Sequence, residues 1–477
     1  MPVLNLPEKP FFSILSINNY FWKEVKIGLL LRGRHFFRFL IGMNYRIILF
    51  CVVLLFFSMR NVNTYRMEFN PEFLVPGNVR ITNELTPESF VPQVERGVRT
   101  FMRRWEIRGA SIAVAREGKL VYARGFGFAD AELMVEVEPY HRFRIASISK
   151  LITAVAIMTL CEDGLLSAND KVFGTTGILN DSIFSNPKDK RVYSITVAHL
   201  LGHRGGWTTR YGDHMFLTDV IANASEKEMP LETVDYVRFA LDKNLHFTPG
   251  SGSSYSNLGY SILGLVVEKV SGMDYEEYCR TRIFEPLGIY DISIGGNMES
   301  DKLVNEVKYY EQSDAIPKAS IYGTGETVPA SYGGNDIVSL GGAGAWVATS
   351  TDLMRLLLAI DGFDYNPDIL SKSTIDFMTD QKNGYAPLGW KATLSNGAWW
   401  RTGSFPGTTA MMKRLPDGTA WVVLLNTSGW NGPELTNDIN SFMSRILSQV
   451  KEWPDRDLFR FSLPLPLKEY IYVNHEE

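Results

Sequence analysis

Three cysteines in 477 residues are too few for a disulfide framework. Cys51 falls in an apolar run and Cys161 in an apolar helical pattern, settings that suit a buried thiol, while Cys161 and Cys279 leave one pairing open. Zinc-like Cys/His spacing is missing too. His199 and His203 stand four apart, but no Glu follows His199, and Gly202, Gly205 and Gly206 interrupt any helix there. These histidines are expected to pack beside a site rather than bind metal, and no cofactor is implied. Basic charge is not in excess, since the formal net charge is −5, so nothing favours nucleic acid as a partner. There is no G-x-S-x-G turn, which argues against a Ser-His-Asp hydrolase. Internal repeats and low-complexity tracts are absent as well.

The chain has enough apolar residues, 45%, to bury a large core, and its length suits one large domain or two ordinary ones with extensions. The amino end is distinct. Residues 1–46 carry Lys9, Lys23, Lys26, Arg32, Arg34, Arg38 and Arg46 against Glu8 and Glu24, and an apolar segment follows at 47–59. That segment is shorter than the roughly 20 residues of a standard span and matches a signal-peptide core behind a positive region. Three readings stay open: a signal-anchor with the domain outside the cytosol, a secretory signal initiated at Met43, or mitochondrial targeting. We expect entry into the secretory pathway, giving a single-pass membrane protein with a lumenal or extracellular domain, or a secreted one; the membrane would then be a partner through 47–59. Asn180, Asn223 and Asn426 open sequons compatible with that route. Residues 60–85 read as a linker, and 451–477 as a carboxy-terminal extension.

Between them, a helix-start signal and an apolar periodicity predict an amphipathic helix over 91–102, and two short apolar runs at 110–115 and 120–123 predict a hairpin around Arg116-Glu117-Gly118-Lys119. Helices and polar loops follow through 165–250, with Thr196 as an N-cap, and another helix covers 260–270. Residues 296–336 form an irregular excursion, and Thr349-Ser350-Thr351-Asp352 caps a helix from 353 to 360. Strands return at 397–404, 408–414 and 421–426, before a final helix near 434–450. Strands at both ends with helices between them predict an α+β fold: an antiparallel β-sheet flanked by helices, with a mostly helical insertion.

The chemistry centres on Ser147-Ile148-Ser149-Lys150, which opens an apolar run ending at Gly164. A helix there places Ser147 in its first turn and Lys150 on the same face. A serine hydroxyl needs a neighbour to take its proton, and an amine whose pKa is lowered can help. A helix N-terminus also offers N–H groups to an oxyanion. Two further signals come later: Tyr255-Ser256-Asn257 after a turn-rich loop, and Arg401-Thr402-Gly403 on a strand.

S-x-x-K, Y-x-N and basic-Thr-Gly in this order resemble the serine β-lactamase and penicillin-binding-protein superfamily, and within it the class C β-lactamase and esterase-like branch, including the animal serine β-lactamase-like proteins. The resemblance covers 86–450 and includes the Pro249-Gly250 loop, Gly341-Gly342-Ala343-Gly344 and Gly403-Ser404-Phe405-Pro406-Gly407. It implies a β-lactamase/transpeptidase-like fold and a serine hydrolase acting on an ester, amide or peptide bond through an acyl-enzyme on Ser147. Lys150 would orient Ser147 and help hold its proton, Tyr255 would be the general base, and Asn257 would bond substrate or Lys150. Arg401, Thr402, Gly403 and Ser404 would line the substrate and oxyanion site, with the N–H groups of Ser147 and Ser404 as the oxyanion hole. The substrate would be a small molecule or peptide. Tyr255 as an ordinary aromatic and Asn257 as a helix cap are the plainer readings of those residues. Arg401 departs from the family's usual Lys or His; it stays charged, and its planar fork suits a carboxylate. A catalytically silent binding or scaffolding protein of the same fold is the alternative.

Overall fold

The computed structural model describes residues 80–461, apart from 381–383, 385–386 and 430–431. The basic stretch 1–46 and the apolar segment 47–59, including Cys51, lie outside the described residues. Among the described residues, no helix is long and apolar enough to cross a membrane.

Glu117 and Gly118 take positive φ values of 47° and 76°, as a two-residue turn between right-twisted strands requires. They join β1 (Gly109–Arg116) to β2 (Lys119–Asp130), a longer hairpin than the sequence pattern predicts. The sheet is completed by β3 (Val135–Glu136), β4 (Ala392–Thr393), β5 (Trp399–Phe405), β6 (Thr408–Arg414) and β7 (Thr419–Leu425). Among the described residues these seven strands form one antiparallel sheet in the order β3-β2-β1-β7-β6-β5-β4. β1 pairs with β7 from Ala110↔Leu425 to Arg116↔Thr419, so the two ends of the domain close the sheet as expected.

Period-two alternation sorts the side chains into two layers. Ile112, Val114, Trp421 and Val423 pack on one face with α1 (Pro92–Trp105) and the carboxy-terminal helix Leu435–Ser448, where Phe101 and Phe442 stack at 4.5 Å. Ala113, Ala115, Val422 and Leu424 face the other way, toward α2 (Ser149–Glu162), α3 (Asn257–Ser271) and α4 (Ser350–Leu358). Small residues on β1 admit α4 closely enough for Ser111 Oγ and Ser350 Oγ to meet at 2.8 Å. From Ser149 to Leu160 α2 is buried on every face, the mark of a helix inside a core.

The folded unit reaches past the expected limits of 86 and 450. Asn83 donates from Nδ2 to the Val137 carbonyl, and its Oδ1 accepts the Gly125 N–H, both at 2.8 Å. At the far end, Asp457 accepts the Leu120 N–H at 3.1 Å and Arg456 donates to the Val121 carbonyl. Both segments therefore occupy backbone groups of β2 beyond its short pairing with β3, protecting a sheet edge that would otherwise be open. The Cys161–Cys279 pairing left open by the sequence does not form: both thiols are free, Cys279 buried in the short helix Tyr275–Cys279 and Cys161 half-buried near the end of α2.

Candidate active site

Ser147 does not open α2. It lies in a 3₁₀ turn, Ala146–Ile148, and the α-helix begins at Ser149. Ala146 is forced to φ 45°, a strained value for a residue with a Cβ, and this kink presents Ser147 between the strands and the helix. The segment leading into the turn is held by Trp346–Ala348: Phe143–Arg144 pairs with that strand, and the Ile145 N–H donates to the Trp346 carbonyl at 3.0 Å.

Lys150 follows on the first turn of α2 and is wholly buried. Its Nζ donates to Asn257 Oδ1 at 2.6 Å, to the Ala343 carbonyl at 2.5 Å and to Ser147 Oγ at 3.2 Å. Two carbonyl oxygens thus fix two of its N–H bonds, so its third tetrahedral direction faces the serine. Asn257 is not the helix cap: Ser256 takes that role, accepting the Gly259 N–H at 3.0 Å, which leaves the Asn257 side chain free for the amine.

Tyr255 arrives from the loop before α3. As a whole it is 37% exposed, but its hydroxyl stands 2.5 Å from Ser147 Oγ and 3.4 Å from Arg401 Nη2. Hydroxyl, ammonium and phenol, drawn from distant pieces of chain, therefore share one cluster. Burial alone would raise the phenol; the charges of Lys150 and Arg401, with hydrogen bonds from Lys150 and Ser147, outweigh it and bring Tyr255 down to about 8. Burial lowers Lys150, assisted by Arg401 and opposed by Tyr255 and Asp213, to about 8 as well. Two groups this close in affinity share their protons as a pair.

Arg401 corrects the sequence reading. It was expected to face substrate, but only 2% of it is exposed, and its Nε donates to the Ser147 carbonyl at 2.7 Å. Its guanidinium ties β5 to the nucleophile's turn. Gly403, two residues on, is there because nothing larger fits: a Cβ would stand 2.1 Å from the Ile145 carbonyl oxygen and 3.1 Å from the Ser147 nitrogen. Thr402 and Ser404 occupy the alternate positions and are half-buried. β4 pairs only with Trp399 and Trp400, so its ladder stops short of 401–405.

Pattern reading missed two contributors. Asp213 Oδ2 accepts from Asn257 Nδ2 at 2.8 Å, and the Ala343 carbonyl holds Lys150. Asp213 had one local sign, an Asx cap for His214–Phe216, while a backbone carbonyl has no side-chain signature at all. His199 Nδ1 accepts the Thr196 N–H and closes a capping box, whereas His203 packs against Tyr255. Among the described residues, no three His, Cys, Asp or Glu side chains are grouped to hold a metal.

A family model described as Beta-lactamase matches residues 94–442. Protein flp of Staphylococcus aureus (strain MRSA252) is 26% identical over 228 residues, 48% of this chain and 42% of that protein, so this chain spans less than half of that relative. Penicillin-binding protein 4* of Bacillus subtilis (strain 168) is 25% identical over 336 residues, covering 66% and 67% of the two chains. Among solved structures, the octameric penicillin-binding protein homologue from Pyrococcus abyssi aligns with TM-score 0.55 at 25% identity over 76% of this chain and 79% of that one. D-amino acid amidase from Ochrobactrum anthropi SV3, complexed with L-phenylalanine, has TM-score 0.58 at 23% identity over 76% and 98%, and shares the fold. With a family match spanning the sheet, the Ser147 turn, Tyr255 and β5, the chain belongs to the beta-lactamase family.

Proposed function

We propose that this protein is a serine hydrolase that cleaves an ester, amide or peptide bond through an acyl-enzyme on Ser147. The observation that carries this reading is the 2.5 Å contact between Ser147 Oγ and a phenol flanked by two cations. Tyr255 as phenolate takes the hydroxyl proton while Oγ attacks the carbonyl carbon, and Lys150 stays an ammonium that balances the phenolate. The N–H groups of Ser147 and Ser404 receive the developing oxyanion, a contribution worth about 10²–10³ in rate per donor in comparable sites. As the tetrahedral adduct collapses, Tyr255 returns its proton to the leaving amine or alcohol. Water then gives a proton to the phenolate and attacks the acyl carbon, and Ser147 leaves with that proton as the acid is released.

The names of the relatives, penicillin-binding protein and D-amino acid amidase, favour acyl compounds as the substrate class. Because Arg401 is buried against the Ser147 carbonyl, we do not assign it to a substrate carboxylate. The test is covalent labelling with a fluorophosphonate or penicillin-type probe. Wild-type protein should label and Ser147→Ala should not; folded wild type left unlabelled by both probes would favour the silent binding protein instead.

A further inference from the structure

His203 touches Tyr255 and both of the residues that flank it, Ser254 and Ser256. Its ring lies 4.7 Å from the Tyr255 ring, centroid to centroid, and 5.1 Å from that of Tyr260. Its carbonyl accepts the Ser254 N–H at 2.9 Å, and its Nδ1 accepts the Ser256 N–H at 3.3 Å. One residue therefore holds the peptide groups on both sides of the phenol and packs its own ring, tilted by 44°, against the phenol itself. The backbone at His203 is also unusual, with φ 58°, a left-handed value that histidine adopts more readily than most residues with a Cβ. Strain of that kind persists where the surrounding structure demands it.

We infer that His203 is a positioning residue for Tyr255, holding the phenol against Ser147 between the Lys150 and Arg401 charges; the inference deepens the hydrolase reading and rests on Tyr255 acting there. The role requires a neutral imidazole, since an Nδ1 that accepts an N–H carries no proton. The surroundings favour that form. Burial, then the cations of Arg401, Lys150 and Lys391, hold His203 well below the usual imidazole value, and the rings packed at a tilt against it are two tyrosines. At neutral pH it thus adds no charge to the cluster.

Two variants separate positioning from bulk packing. His203→Gly removes the ring and the acceptor while relaxing the positive φ, and His203→Asn restores an acceptor in a residue that tolerates this conformation. The first readout is the Tyr255 ionisation midpoint, taken from ultraviolet difference titration against Tyr255→Phe; the second is the rate of probe labelling at Ser147. A phenol released from the two cations reverts toward its ordinary value near 10. His203→Gly should therefore raise the midpoint from about 8 by one unit or more. It should also slow labelling by at least about tenfold, the scale expected when a reacting group drifts from its alignment. His203→Asn should show both effects to a smaller but measurable extent. Wild-type midpoint and labelling rate in both variants, or in His203→Asn alone if His203→Gly does not fold, overturns the inference. If wild-type protein never labels, the hydrolase reading fails by itself, and the titration still decides what His203 does.

Discussion

Asn257 donates its Nδ2–H to Asp213 at 2.8 Å, and so turns its carbonyl oxygen toward Lys150 at 2.6 Å. An amide can present either end, and the carboxylate selects the end that suits an ammonium. Removing Asp213 has two consequences with the same direction. The amide loses its orientation, and Lys150 loses a negative neighbour that raises its proton affinity. Asp213→Ala should slow probe labelling at neutral pH by about tenfold or more, on the scale of general acid–base contributions. Rates equal to wild type across pH 6–9 would remove Asp213 from the site's electrostatics.

The pH dependence follows from the Tyr255–Lys150 pair. Reaction needs Tyr255 without its proton and Lys150 with its own. Below about 8 the phenol is protonated, and above about 8 the ammonium is lost, so labelling should rise toward pH 8 and decline beyond it. Arg401→Met deletes one of the two charges lowering the phenol and should move the rising limb upward, toward 10. Arg401→Lys, which keeps the charge, should hold it nearer to wild type. An Arg401→Met profile superimposable on wild type would rule out its electrostatic role.

Gly403→Ala places a methyl where the Ile145 carbonyl already stands. The strand or the turn must give way, at a cost of about 1–3 kcal/mol in stability, as for other overpacked sites. Because the displaced turn carries Ser147, labelling should fall even in the fraction that remains folded. Denaturant titration together with labelling measures both, and an unchanged unfolding midpoint would show that the two backbones are not in contact.

The three sequons differ in access. Asn180 and Asn223 are exposed, whereas Asn426 is fully buried, its Nδ2 donating to the Phe128 carbonyl at 3.0 Å. When the full chain is expressed in cells that glycosylate secreted proteins, glycopeptide mass spectrometry should find Asn180 and Asn223 modified and Asn426 unmodified. A glycan at Asn426 on folded protein would contradict its burial just past the end of β7, against Gly109 and Phe128, while unmodified Asn180 and Asn223 would count against entry into that pathway.

Local chemistry made much of the fold legible. Arg116-Glu117-Gly118-Lys119 marks a turn because its backbone requirement is short-range, and short apolar runs at 110–115 and 421–425, each bounded by turn residues, mark buried strands. The helical reading of Ser147 was less accurate. The apolar run is helical from Ser149, but the 3₁₀ turn and the positive φ of Ala146 are imposed by Trp346 on one side and β5 on the other. No window of sequence contains those partners.

What the sequence determined by itself is the inventory and its order: a serine three residues before a lysine, a tyrosine two before an asparagine, and a basic residue two before a glycine on a strand. Only the tertiary structure decided how they are used. Arg401 looked like a reader of substrate and instead lies buried on the Ser147 carbonyl, while Asp213 and His203 joined the cluster from a loop and a helix end. The physical reason is that spacing along a chain fixes which side chains share a local face. Proton affinities and hydrogen-bond partners depend on which distant groups packing brings within about 3 Å, and at what burial.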